Sequence, residues 1–255
     1  MYLMKPGWKT LRMGITPWED VDGLTVLKTI EEYGRICYKT EGKMTEDSAI
    51  PFMQKRLNPQ DPHLALLDHL HITAKYVSDR GFSHEYLRHK LTEILGSGCV
   101  EPIDDFAPMA VLQESTRYCN YMKSGGVCFI IPPWITSIPE GEFDGSDLYE
   151  TPGSKERSLY DSLPDTDRIW LRNKVHSEFT YLEELKLGWS PQQARGDLLI
   201  SVKTEFIVTC SLTEWRHLFK QRTAKSAHPQ MYELMRPQLD DMKAKIPVIF
   251  DDISY

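Results

Sequence analysis

Between residues 69 and 95 the chain changes its hydrophobic period, and no other feature constrains the fold more tightly. His69-Leu-His-Ile-Thr-Ala-Lys-Tyr-Val alternates polar with apolar residues, the two-residue repeat of a half-buried strand ending near Val77. After Asp79-Arg80-Gly81-Phe82-Ser83 a helix is predicted through His84 to about Leu95. Both kinds of element therefore stand side by side in the chain, and the remaining segments repeat the mixture. Leu24, Leu27, Ile30, Tyr33 and Ile36 recur at three-residue steps, which predicts a helix over 24–38. Further helices are predicted over 50–57, 165–187 and 229–245, the second of these ending at Gly188 in a left-handed cap. Ser190-Pro191-Gln192-Gln193 and Ser211-Leu212-Thr213-Glu214 read as capping boxes that open two more helices, the second running through Lys220. Strands are predicted over 127–131 and 200–210. Residues 1–20, 96–108 and 137–165 are punctuated by Pro and Gly and are expected to be irregular, the last a long surface excursion.

Several function classes are disfavoured by composition. The 255 residues are 41% hydrophobic and 26% charged, ordinary proportions for a soluble globular protein able to bury a core. No stretch approaches the roughly 18 apolar residues of a membrane span, and the first residues lack the apolar region of an export signal. A net charge of −7 disfavours broad attraction to nucleic acid, so any anionic ligand must be held by a few placed arginines. Five scattered cysteines (Cys37, Cys99, Cys119, Cys128, Cys210) form neither a zinc pattern nor a disulfide framework. Each is expected to be a buried structural thiol in a reducing cytosol.

Two clusters carry chemistry. On the predicted helix, Glu85, Arg88 and His89 stand three or four residues apart and share a face. Further on, Gln113-Glu114-Ser115-Thr116-Arg117 places a serine and an arginine two apart; in an extended loop both would point the same way and bond one phosphate. The second cluster is Arg195 and Arg222, with His217 and His228 nearby. On the residues alone, solvated faces and surface salt bridges are the better account of both clusters.

In order along the chain, however, these blocks resemble the flavin-dependent thymidylate synthases (the ThyX family). The resemblance lies in Arg88-His89-Lys90 followed by Ser115-Thr116-Arg117, flanked by Asp79-Arg80-Gly81, His84-Glu85 and the run from Gln113 to Tyr121. It continues in Gln193-Ala-Arg195, Lys203-Thr-Glu, Glu214-Trp-Arg-His217, Arg222 and Ala227-His-Pro-Gln230. It implies a single catalytic domain over 1–255, of α/β (α+β) class, with a twisted, largely antiparallel sheet flanked by helices. It implies methylation of dUMP at C5, with methylenetetrahydrofolate as one-carbon donor and NADPH-reduced FAD as hydride source. Glu85, Tyr86, Leu87 and Arg88 would line the nucleotide site, and Gln113, Glu114, Ser115, Thr116 and Arg117 would surround its phosphate and sugar. Arg195 would reach the phosphate from a neighbouring subunit of a homotetramer, and Arg222 would face the uracil edge as the catalytic group. FAD would meet His63, Ala65, Arg88, His89, Lys90, Gln113, Ser211, Leu212, Thr213 and His217. No metal, nucleic acid or membrane partner is implied, and the location would be the cytoplasm of a bacterium or of a phage-infected host. Lys90 stands where the family carries arginine, Ala110 stands where it carries serine, and an insertion lies within 91–109. Two other readings stay open: a relative acting on UMP or dCMP, and a non-catalytic nucleotide- or flavin-binding protein.

Overall fold

The computed structural model describes residues 1–58, 62–96 (backbone alone from 89), 109–145 and 153–255. The strands are β1 (Tyr2–Met4), β2 (Gly7–Met13), β3 (Thr16–Pro17), β4 (His71–Asp79), β5 (Met109–Gln113), β6 (Cys128–Ile130), β7 (Gly141–Glu142) and β8 (Lys203–Ser211). The helices are α1 (Gly23–Tyr38), α2 (Ala49–Arg56), α3 (Arg80–Gly96), α4 (Lys155–Ser162), α5 (Asp165–Lys186), α6 (Pro191–Ala194), α7 (Leu212–Arg222) and α8 (Pro229–Lys245). Among the described residues the strands form a three-stranded sheet, β6-β1-β7, and a five-stranded sheet, β3-β2-β4-β8-β5. The result is the expected mixed α/β (α+β) fold, its antiparallel strands flanked by helices. One pairing is parallel: Tyr2, Leu3 and Met4 face Cys128, Phe129 and Ile130 in register.

Two compact units divide the chain. The first comprises Met1–Gly7, Tyr76–Tyr86 and Gln113–Phe206. Its core gathers around α5, whose Leu171, Val175 and Tyr181 recur at helical spacing and pack with Leu3, Phe129 and Ile135. Gly188, just past α5, has φ +101°, and the neighbouring N–H groups of Leu187, Gly188 and Trp189 bond back to Glu183, Leu185 and Glu184. A second knot in this unit is aromatic: Tyr76, Phe82, Tyr86 and Phe206 place their ring centroids between 5.1 and 5.9 Å apart.

The second unit comprises Trp8–Lys75, Leu87–Leu112 and Ile207–Tyr255. Here α1 is capped by Asp22, whose carboxylate accepts from the Thr25 N–H at 3.0 Å, and it buries Val26, Leu27, Ile30 and Gly34. Gly34 is required by close approach: an added Cβ would stand 2.7 Å from the Phe52 ring and 3.2 Å from Leu66. Trp215 of α7 is fully buried and donates its indole N–H to the Ile72 carbonyl at 3.1 Å. The C-terminal residues are tied back by Arg216, which forks onto Asp252 at 2.7 and 2.8 Å and also donates to the Ile249 carbonyl.

Two expectations are corrected. Residues 1–20 hold three strands rather than irregular chain. The inward residues of β2 are Thr10 and Met13, three apart, so no two-residue repeat announces it, and β1 is defined by partners 126 positions away in sequence. Residues 137–165 are no mere surface excursion: Ile138, Phe143 and Leu163 are buried, and β7 and α4 lie there. Their polar, Pro- and Gly-rich neighbours conceal these few apolar anchors. Of the loop expected over 96–108, Gly96 ends α3, and residues 97–108 with Cys99, like residues 146–152, lie outside the described residues.

Candidate active site

In the first unit, the end of β5 leads through Glu114 into a turn. The Ser115 carbonyl accepts from the N–H groups of Tyr118 and Cys119 at 3.2 and 3.0 Å, and the Ser115 hydroxyl accepts from the Arg117 N–H at 3.3 Å. The 115–117 segment is therefore a serine-stabilised turn, where the sequence suggested an extended loop. Two side chains from near α6 meet it. Gln192 accepts from Arg117 Nε at 3.1 Å, and Arg195 Nη1 lies 3.5 Å from the Thr116 hydroxyl. Arg117 and Arg195 are both exposed and Ser115 is half-buried, so the turn and the α6 end, far apart in sequence, together offer two guanidinium groups and the Ser115 hydroxyl. Such a donor set suits a phosphate. Arg195 makes this contact within its own chain, whereas the resemblance has it reaching into a neighbouring copy.

Gln113 is held from behind. Its amide nitrogen donates to Ser83 Oγ at 2.8 Å and to Thr204 Oγ1 at 3.0 Å. Ser83 sends its own proton to the Arg80 carbonyl at 3.1 Å, so its oxygen must accept, and this fixes which end of the Gln113 amide faces inward. Glu114 accepts from the Tyr121 hydroxyl at 2.9 Å and pairs with Lys203 at 3.1 Å. Burial first, and then the Glu114 charge, hold the Tyr121 phenol well above its ordinary range. Lys203 is raised too, because Glu205 and Glu114 outweigh the opposing effect of burial.

On α3, which Asp79 caps by accepting from the Phe82 N–H at 2.7 Å, Glu85 and Leu87 are half-buried and Arg88 is exposed. The Tyr86 side chain is fully buried in the aromatic knot, where it serves the core. His89 and Lys90 follow on the same helix, and their side chains lie outside the described residues.

In the second unit, two segments that the resemblance assigns to FAD come together. Leu212 N–H donates to the Leu70 carbonyl at 2.9 Å, Thr213 Oγ1 to the Leu64 carbonyl at 3.0 Å, and Ser211 Oγ to Asp68 at 3.1 Å. Ser211 also caps α7 by accepting from the Glu214 N–H at 3.3 Å. The first turn of α7 is thereby clipped onto the 3-10 turn Leu64–Leu67, with His63 and Ala65 exposed beside it. His63 Nδ1 lies 2.7 Å from the Tyr38 hydroxyl, and the Arg56 guanidinium covers the Tyr38 ring at 3.9 Å. An exposed imidazole and aromatic ring, with a half-buried guanidinium behind them, suit a cofactor that has a planar ring and phosphates. His217 is half-buried one turn along α7, with Gln221 at 2.9 Å, and Arg222 is the half-buried last residue of that helix.

Residues 24–248 match the family described as thymidylate synthase complementing protein. The chain belongs to that family. Membership makes it an enzyme of the methyl-transferring type. A flavin-dependent thymidylate synthase of Corynebacterium diphtheriae is 25% identical over 227 residues, spanning 88% of this chain and 78% of that protein. Among solved structures, the UMP/dUMP methylase PolB from Streptomyces cacaoi, bound with 5-Br dUMP, is similar with a TM-score of 0.65 at 14% identity. That likeness covers 98% of this chain and 96% of the other, and it concerns the fold.

Among the described residues no group of His, Cys, Asp and Glu could hold a metal ion, and no helix is long and apolar enough to cross a membrane. Among the described residues the expectation of buried thiols holds for Cys210; Cys119 and Cys128 are half-buried and Cys37 is exposed. Burial pushes the Cys128 thiol up to about 11. Sequence reasoning assigned no part to Ser83, Tyr121, Gln192, Lys203 or Thr204. Tyr121, Lys203 and Thr204 lie inside the blocks that carry the family resemblance, which was the available signal.

Proposed function

We propose that this protein is a flavin-dependent thymidylate synthase that methylates dUMP at C5, acting in the cytoplasm as one catalytic domain per chain. The observation that supports the reading is the meeting of the 115–117 turn with Gln192 and Arg195, which gathers donors suited to a phosphate from two distant segments. Ser115, Arg117 and Arg195 hold the nucleotide phosphate, with Glu85 and Arg88 along the sugar and base. Arg222 faces the uracil edge. C5 of uracil is a poor nucleophile, and a fixed guanidinium aimed at the N3/O2 edge stabilises the negative charge that must develop in the ring. The clipped turns around His63, Ala65 and Ser211 to Thr213 hold FAD, with His217, Gln113, Arg88, His89 and Lys90 as further contacts. When bound and reduced by NADPH, the flavin supplies the hydride that no side chain can donate, and methylenetetrahydrofolate supplies the carbon. Copies of the chain assemble as a homotetramer.

Tritium release from C5-labelled nucleotide, with folate, FAD and NADPH present, tests this reading. Release from dUMP is expected, and release lost in Arg222→Ala with the fold intact. Turnover of UMP or dCMP in preference to dUMP would move the substrate assignment, and wild-type turnover by Arg222→Ala would remove that residue from the mechanism. The purified protein is expected to be yellow and to bleach with NADPH; a colourless protein that cannot be reconstituted with FAD would favour a binding scaffold.

A further inference from the structure

Glu114 stands immediately before the 115–117 turn, and both its backbone and its carboxylate are engaged. Its N–H donates to the Glu205 carbonyl at 2.8 Å, and its own carbonyl accepts from Arg80 Nη2 at 2.8 Å. One carboxylate oxygen accepts from the Tyr121 hydroxyl at 2.9 Å; the other accepts from the Glu205 N–H at 3.2 Å and pairs with Lys203 at 3.1 Å. The side chain is only 16% exposed. A carboxylate pointed at a phosphate would repel it, but this one faces away from the turn's exposed donors and into β8 and Tyr121.

We infer that Glu114 is a positioning residue: with Tyr121 and Lys203 it locks the start of the turn, so that Ser115 and Arg117 meet the phosphate in one orientation, and it does not touch the ligand. This rests on the nucleotide reading above and deepens it. A flexible turn would have to be ordered on binding, at the cost of affinity, whereas a turn already fixed by charge-assisted hydrogen bonds has little ordering left to do. The clamp also holds across the working pH range. Tyr121 keeps its proton, because burial and the Glu114 charge raise it, and Lys203 stays charged, because Glu205 and Glu114 raise it.

A positioning role predicts a loss confined to ligands that carry the phosphate. Calorimetric titration of the FAD-loaded protein with dUMP and with deoxyuridine separates the cases. Glu114→Gln keeps the volume but loses the ion pair, and should weaken dUMP about tenfold while changing deoxyuridine by less than about twofold. Tyr121→Phe removes only one hydroxyl and should show the same selectivity, which keeps the test intact if Glu114→Gln fails to fold. Equal losses for both ligands, or none for either, would overturn the inference while leaving the nucleotide reading standing. Wild-type protein that binds dUMP no better than deoxyuridine would instead overturn the phosphate site itself, and this inference with it.

Discussion

Gly126 carries two separable demands, and replacing it with alanine tests both. Its φ is +123°, a region that L side chains rarely adopt, and an added Cβ would stand 2.8 Å from Glu178 Oε1. That oxygen is not free to swing aside, because it accepts from the Val127 N–H at 2.8 Å while its partner oxygen pairs with the Met1 amine at 3.0 Å. Backbone strain of this kind costs about 1–3 kcal/mol, and forcing an extra methyl into a packed site costs about 1–3 kcal/mol more. Together they predict a loss of about 2–6 kcal/mol, or a fall in Tm of roughly 4–24 °C at the 2–4 °C per kcal/mol expected for a protein of this size. Two other glycines supply the controls. Gly14 shares the positive φ, at +54°, but nothing lies within 4 Å of its would-be Cβ, so Gly14→Ala should pay the conformational cost alone. Gly7 has neither feature, and Gly7→Ala should be neutral or slightly stabilising. Differential scanning calorimetry of the three variants should rank them Gly7→Ala, Gly14→Ala, Gly126→Ala in order of increasing loss. A Gly126→Ala variant no worse than Gly14→Ala would refute the packing argument; one as stable as Gly7→Ala would refute both.

Other expectations concern ionised groups. Arg216→Met should destabilise by about 1.5–3 kcal/mol in denaturant unfolding, because it removes the charge-assisted fork onto Asp252 and the C-terminal tie at Ile249. Burial raises the Asp252 carboxyl, but Arg216 and Lys220 overcome it and hold the group below its usual 3.8. Its contribution is therefore present above that value and lost as pH falls through the lower folded one, so the stability gap to Asp252→Asn should close in acid; a gap independent of pH would refute the pairing. Lys174 is the opposite case: burial pushes it down to about 8, against the pull of Asp79, while its ammonium lies 4.7 Å from the Trp170 ring centroid. The unfolded chain holds this proton up to about 10.5, so stability should rise with pH between the two values. Lys174→Met should accordingly be more stable at pH 7, by on the order of 1 kcal/mol, with the advantage fading above pH 8; an advantage that grows there would refute the assignment.

Elements that signal themselves locally were legible in the sequence. α5 and α8 carry their caps and breakers beside them, at Gly188 and at Pro229, and they form where the pattern placed them. β1 was not legible because what makes it a strand is pairing with a distant segment, and β2 was not because its buried positions fall out of step with a two-residue repeat. The site divides in the same way. Arg117 and Arg195 could be singled out by family blocks, but their shared surface depends on a turn held by the Ser115 carbonyl and on a glutamine, Gln192, that no spacing points to. Ser83, Gln113 and Thr204 belong to a helix, a strand end and another strand, so only folding could bring them into one chain of hydrogen bonds.

That relay makes residue 113 intolerant of its closest isostere. A glutamate there would set a carboxylate against two hydroxyls, and Ser83 would have to withdraw its proton from the Arg80 carbonyl to satisfy it. The swap of one nitrogen for oxygen would thus be felt one helical turn away, at the start of α3, and would set an anion beside the 115–117 turn.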